Sequence, residues 1–536
     1  MNGFPWLTVA GAIPLLGAIV LTVLPSAPRD SAPADVAARD QLAKVLALVF
    51  SLVTLVWFIV MATQFNTSGP TYQFTEQYSW IPQFGVHYAL GVDGIALVLI
   101  GMTVILMPVV ILASWHDVEK ASARRSVKSY FALMLLLEMM SIGVFEATDV
   151  FLFYVLFEAM LVPMYFMIGS FGEGPRQYAA VKFLLYSLFG GLLMLVAVIA
   201  LYVYSTESAA THHQGTFLFT QLLHVALSPT AQKWLFLGFF IAFAIKAPLW
   251  PFHTWLPDAS ASAQPGAAVL MLGVMDKVGT YGMIRFCIEL FPAAVSYFKV
   301  LILTLAVISI LYGAVVAIGQ KSMKRLIGYT SVSHFGFIVL GIFALTSQGQ
   351  AGATLYMVNH GFATGALFIL AGFLISRRGS DRIEDYGGVQ KVAPVLAGLF
   401  LISGLAGLAL PGLSTFVSEF LVLVGTFSRY KVAGSFAVAG IVLAAIYILW
   451  MVQRTMHGPV SESVAGFKDL RPRELWAVVP LIVLIIAMGV YPKPVLDVIN
   501  PAVKATMAQV HVADPTPAHP AQQASTTSSV QKGTQP

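Results

Sequence analysis

Cysteine is all but missing from this 536-residue chain: Cys287 is the only one. A single thiol permits no disulfide within the chain and cannot hold an iron–sulfur cluster. Charge is equally scarce, with Asp, Glu, Lys and Arg making up 10% of the residues, against about a quarter in soluble domains. Also missing are histidines at ligand spacing on one helix, a glycine-rich phosphate loop and a nucleophile set beside a base, so neither a metal centre nor nucleotide chemistry is expected here. The net charge of +5 is small and dispersed, which excludes a nucleic-acid surface. No basic stretch precedes the first apolar run, Leu7 to Leu24, so that run reads as a retained span and not a cleaved signal peptide.

What is present is apolar surface, at 58% of residues. That composition predicts an all-α polytopic membrane protein. Runs long enough to cross roughly 30 Å of hydrocarbon at about 1.5 Å per residue predict fourteen spans, at 6–25, 43–62, 88–114, 128–146, 149–171, 178–204, 234–258, 265–290, 298–319, 326–345, 353–376, 394–427, 435–456 and 475–492. Spans 7 and 12 carry internal breaks. The loop from Pro25 to Asp40 and the tail from Val512 hold too little apolar surface to offset their ordering entropy and are expected to be disordered.

Lysine and arginine alternate between the short connections. Those after odd-numbered spans hold Arg29 and Arg39, then Lys120, Arg124, Arg125 and Lys128, then Arg176, Lys321, Lys324, Arg325, Arg377, Arg378, Arg382, Lys391, Arg454, Lys468, Arg471 and Arg473. Those after even-numbered spans hold only Lys233, Lys299, Arg429 and Lys431. Basic connections stay in the cytoplasm, so both termini are expected on the outer side.

The chain also echoes itself. Thr254-Trp255-Leu256-Pro257-Asp258 matches Thr415-Phe416-Val417-Ser418-Glu419, and the distances from Glu158 to Lys246 and from His334 to Glu419 are 88 and 85 positions. Each block ends at a proline-broken span, as in repeat-built transporters. The expected organisation is three N-terminal helices in 1–127, a first repeat in 128–290 (spans 4–8), a second, inverted repeat in 298–456 (spans 9–13), a loop with span 14 and its flank in 457–511, and a tail in 512–536.

Ionisable groups inside spans cost about 2.5–3.5 kcal/mol each on insertion scales. Lys246 is the sharpest case. It ends the apolar run from Leu235 and is followed at once by Pro248 and Pro251, which remove backbone donors and break the helix. A broken helix survives in lipid only where protein or a wet cavity surrounds it. Glu158 lies nine residues past Asp149, about 13 Å into the bilayer and too deep to reach water. Lys277 sits in mid-span beside Asp276, a neighbour that could be purely structural. His334 lies on a hydroxyl-rich helix, Thr330-Ser331-Val332-Ser333-His334; alone it would read as a packed histidine, but with His360 on the next span it reads as part of a relay that ends at Glu419. Glu138 is either a second acid beside Glu158 or a helix-packing group. Lys182, six residues from Arg176, either joins the path or snorkels to the surface. His253 and Asp258 lie beyond the first break, where loop roles compete.

Three stretches, Phe157-Glu158-Ala159-Met160-Leu161-Val162-Pro163, Lys246 to Ala259 and Lys324 to His334, closely resemble the antiporter-like subunits of respiratory complex I, the proton-translocating NADH-quinone oxidoreductase. The resemblance covers nearly the whole chain. It implies fourteen helices with inverted repeats, a place in the membrane arm between two related antiporter-like subunits and among lipids, no nucleic-acid partner, and no redox centre in this chain. FMN, iron–sulfur clusters and quinone would belong to partner subunits, and the location would be the bacterial inner membrane. Carried over by position, Glu158 and Lys246 look like the family's input pair, Lys277, His334 and His360 its central axis, and Glu419 its terminal acid, where lysine is usual in two of the three members.

A contact ion pair Glu158–Lys246 is expected to hold the lysine's proton until charge movement next door releases it along the axis. Such a pair at about 4 Å is worth on the order of 4 kcal/mol at an effective dielectric of 20, against about 2.3 kcal/mol to move one charge across 100 mV. The rival readings are a subunit of an Mrp-type cation/proton antiporter or of a membrane-bound hydrogenase, and a structural spacer.

Overall fold

The computed structural model describes residues 3–25, 32–119 and 126–515. Twelve helices among these are long and apolar enough to cross a membrane. The other two of the expected fourteen spans are the seventh, in two pieces at Pro229–Lys246 and Trp255–Ser262, and the twelfth, at Pro394–Gly407 and Ser414–Arg429. Both breaks therefore fall where the prolines of the first and the Pro411-Gly412 pair of the second predict them.

The spans are not equal in their surroundings. Those at Pro265–Ile288, Met323–Phe343 and Ser347–Arg378 are buried over 100%, 94% and 94% of their apolar windows, whereas Pro33–Thr63 is buried over only 22%. Spans 8, 10 and 11 thus form a core enclosed by protein, and they carry Lys277, His334 and His360. Polar side chains on them are shielded from lipid without needing a polar exterior.

Each break orphans backbone groups that hydrocarbon could not satisfy. At the first, the Trp255 indole donates to the Ile245 carbonyl at 2.9 Å and the Trp250 N–H donates to Ser309 Oγ at 2.7 Å. At the second, the Thr415 hydroxyl donates to the Ala406 carbonyl, and the Asn359 amide donates to the Ser414 carbonyl at 2.6 Å. Gly412 takes φ +91° in the turn between the two pieces, a backbone region that a side chain would strain.

Several expectations need correction. Residues 88–92 do not begin span 3; they belong to an antiparallel hairpin, β1 (Gln73–Ile81) and β2 (Val86–Val92), and the helix starts at Gly94 with Asp93 as its cap. Alternating side chains with aromatic and β-branched content favour the strand there, and an apolar run alone does not separate the two. Span 5 is interrupted at Met160. Residues 33–40, expected to be disordered, begin the helix Pro33–Thr63, with Pro33 at its first position. The remainder of that loop at 26–31, the basic residues Arg29, Lys120, Arg124 and Arg125, and the tail from 516 lie outside the described residues.

A further helix, Lys493–Gln509, follows span 14. It is joined to the hairpin end of the bundle by a buried ion cluster that the sequence reading missed. Arg285 pairs with Asp93 and, at 3.1 Å, with Glu289, whose Oε1 also accepts from Thr506 at 2.7 Å. The chain's two described ends lie at this same end: the first turn of span 1 is capped by Glu76 of β1, and Asp514 accepts from the Ser347 N–H at 2.8 Å.

Candidate functional site

Span 8 is not a plain α-helix. π-helical turns at Met271–Met275 and Met283–Ile288 flank the segment Lys277–Gly282, and such turns leave carbonyls without their usual partner. The Leu272 carbonyl, inside the first, accepts from Lys277 Nζ. The same ammonium donates to His360 Nδ1 at 2.7 Å and lies 4.9 Å from the centre of the Phe335 ring. Lys277 and His360 are both 0% exposed.

From His360 the contacts continue sideways. Its ring centre is 5.1 Å from that of His334. His334 Nε2 hydrogen-bonds with the Tyr447 hydroxyl at 3.4 Å, and its ring is 5.8 Å from that of Tyr356. The Tyr356 hydroxyl donates to Glu419 Oε2 at 3.3 Å. The structure places Lys277, His360, His334 and Glu419 along one line of contacts and inserts two tyrosines that the sequence reading did not name. Tyr356 precedes His360 by four residues and so shares its helix face; that spacing was a usable signal. Tyr447 lies on a span only partly buried and offered none.

Lys246 ends the first piece of span 7 and is 1% exposed. The expected contact pair with Glu158 is not formed. Lys246 Nζ lies 4.2 Å from the centre of the Phe157 ring and donates to the Phe157 carbonyl at 3.4 Å, so the ammonium is held by the residue before Glu158 and not by its carboxylate. Glu158 packs its half-buried carboxylate against Gly191 of span 6, where a Cβ would collide with it. The two groups interact through space, more weakly than in contact, because Coulomb energy falls with separation.

The remaining candidates stand apart from this line. Lys182 pairs with Asp258 at 2.7 Å, and Asp258 pairs at the same distance with Arg325. This triad ties spans 6, 7 and 10 together at the end of the bundle opposite the hairpin. Glu138 is 0% exposed with no hydrogen-bond partner for either oxygen among the described residues, so it shares no hydrogen bond with Glu158. Asp276 is likewise buried without a hydrogen-bond partner in that set, so it is a neighbour of Lys277 in sequence and not a contact partner. His253 is 2% exposed and stacks edge-on against Tyr312, with ring centres 5.0 Å apart.

Chemically, titratable groups follow one another at hydrogen-bond or ring-contact distance, with Lys277, His334, Tyr356 and His360 on spans enclosed by protein, an arrangement that suits proton transfer across the bundle. The family model for NADH:quinone oxidoreductase/Mrp antiporter transmembrane subunits matches residues 147–446. The chain belongs to that antiporter family. It is 52% identical to NADH-quinone oxidoreductase subunit M of Mycobacterium tuberculosis over 97% of each chain. Among solved structures, a chain of respiratory complex I from Thermus thermophilus with bound NADH superposes with a TM-score of 0.83 at 31% identity, covering 94% of this chain and 99% of that one. The Mrp complex from a Dietzia species shares the antiporter-family fold, with a TM-score of 0.81 at 20% identity over 95% of this chain and 100% of that one.

Proposed function

We propose that this chain is the M-type antiporter-like subunit in the membrane arm of a NADH-quinone oxidoreductase and moves protons through its core while other subunits oxidise NADH and reduce quinone. The observation that carries the reading is the lateral line Lys277–His360–His334–Tyr356 on protein-enclosed spans, reaching Glu419 on the second piece of span 12. Lys246 and Glu158 extend it toward the flank of span 5, where Glu158 is half-buried and accessible to charge movement in a neighbouring subunit.

The neighbours would be two related antiporter-like subunits and lipids, with FMN, iron–sulfur clusters and quinone held elsewhere in the complex. The positive connections after odd-numbered spans support a bacterial inner-membrane orientation with both termini outside. The domain division is the one read from the repeat, with 128–290 and 298–456 as inverted units. The path residues are Glu158, Lys246, Lys277, His334, His360 and Glu419; Lys182 holds the triad with Asp258 and Arg325 instead.

An Mrp-type antiporter subunit is the second reading, motivated by the shared fold. Native purification separates the two. NADH-oxidising, iron–sulfur partners and NADH-driven acidification of vesicles, abolished by Lys246→Ala with assembly retained, are the expected result. Sodium-dependent transport without those partners would overturn the proposal.

A further inference from the structure

Lys246 and Lys277 stand on neighbouring spans, yet their ammonium groups turn to different partners, the Phe157 carbonyl and His360. The line of contacts therefore stops short of Lys246. Asp276 lies at this gap. It is 0% exposed, and neither of its carboxylate oxygens has a hydrogen-bond partner among the described residues. A buried anion is costly unless a cation or a proton offsets it.

The packing of span 8 turns Asp276 toward the break in span 7. The Gly279 N–H donates to the Asp276 carbonyl at 3.2 Å, a single turn that sets the two residues on one helix face. That face lies on the first piece of span 7. A Cβ on Gly279 would stand 2.7 Å from the Phe243 carbonyl oxygen and 2.8 Å from the Ala247 nitrogen, and one on Gly282 would collide with the Phe243 ring. Ala247 against Gly279 and Phe243 against Gly282 make an antiparallel register. Asp276 thus falls level with the residues that follow Ala247, where the helix is broken, about one turn or 5.4 Å along the axis from the level of Lys246. The first piece of span 7 ends there, and the unpaired carbonyls of a helix C-terminus favour a cation over an anion. An ionised Asp276 is offset by the two lysines, which act on it through space.

We propose that Asp276 is the proton carrier between Lys246 and Lys277. The proposal rests on the reading of the chain as a proton-moving subunit and supplies the step between its entry pair and its central line. Lys246, held by one 3.4 Å bond to a carbonyl, swings from Phe157 to Asp276. An N–H bond of its ammonium breaks as an O–H bond forms on the carboxylate. That O–H bond then breaks as an N–H bond forms on the Lys277 amine, which is neutral once its own proton has gone to His360. One proton has crossed from span 7 to span 8, and Asp276 is a carboxylate again. Lys246 is left a neutral amine, to be recharged from the Glu158 side. Burial penalises the ammonium and the carboxylate alike, which brings the neutral acid and amine close in energy to the ion pair.

The test uses the intact complex in lipid vesicles, with NADH-triggered infrared difference spectra recorded beside the rate of acidification. The wild type is expected to show a carboxylic acid band that forms and decays during turnover, missing in Asp276→Asn and shifted in Asp276→Glu. Acidification is expected to fall by about tenfold or more in Asp276→Asn, since a positioned proton-transfer group contributes about 10²–10⁴ in rate, and to recover in Asp276→Glu. Wild-type acidification in Asp276→Asn overturns the proposal. So does a slow Asp276→Asn whose spectra match the wild type, which makes the aspartate a fixed counter-ion only. If Asp276→Asn does not assemble, Asp276→Glu decides, and an unshifted band there overturns the proposal. Lys246→Ala in the same vesicles keeps the two readings apart: normal pumping there removes the proton-moving function itself, whereas impaired pumping there beside a normal Asp276→Asn removes only the role of Asp276.

Discussion

Lys277 Nζ and His360 Nδ1 stand 2.7 Å apart, on two different spans that are both enclosed by protein. The ammonium donates, so His360 presents an unprotonated Nδ1, and a proton can pass from one base to the other without either side chain moving far.

Replacing His360 with leucine removes that acceptor and leaves the ammonium on the Leu272 carbonyl and the Phe335 ring. A buried charge short of one partner costs about 1–3 kcal/mol. NADH-driven acidification of vesicles is expected to fall at least tenfold, while the complex still assembles on native gels; unchanged acidification would show that the line does not pass through His360.

The Tyr356 hydroxyl is the only side-chain hydrogen bond recorded to Glu419 among the described residues. Tyr356→Phe is expected to slow proton translocation severalfold, and Tyr356→Phe with Tyr447→Phe to slow it more than either change alone. A double variant no slower than the singles would place both tyrosines outside the path. Stopped-flow measurement of vesicle pH resolves the three rates.

Gly191 meets the Glu158 carboxylate so closely that an added Cβ would overlap it. Gly191→Ala is expected to displace the carboxylate from its position and to lower pumping toward the level of Glu158→Gln. Equal activity of Gly191→Ala and the wild type, with assembly checked on native gels, would mean that the position of Glu158 is not constrained by span 6.

Arg285 compensates two buried carboxylates, Asp93 and Glu289. Arg285→Met strands both, and breaking a buried pair from one side costs about 3–5 kcal/mol. The expected outcome is a large fall in the thermal stability of the complex, with Arg285→Met/Glu289→Gln partly recovering it; a thermal shift within error of the wild type would contradict the ion-cluster account.

The membrane class, the existence of the spans and the two breaks were legible in the order of residues, because a span is a local property: apolar length sets it, and Pro248, Pro251 and the Pro411-Gly412 pair interrupt it wherever the rest of the chain goes. The identities of Lys246, Lys277, His334, His360 and Glu419 as candidates were equally local, since an ionisable residue in mid-span stands out without any partner being known. The hairpin at 73–92 was not legible from the apolar run that continues into span 3.

Which charges meet was decided by tertiary packing alone. Phe157 holding the Lys246 ammonium, Tyr356 bridging to Glu419, Lys182 turning to Asp258 and Arg285 reaching Asp93 all depend on how separate helices lie against each other. Those contacts join residues tens to hundreds of positions apart, and helical periodicity carries information over a few turns only.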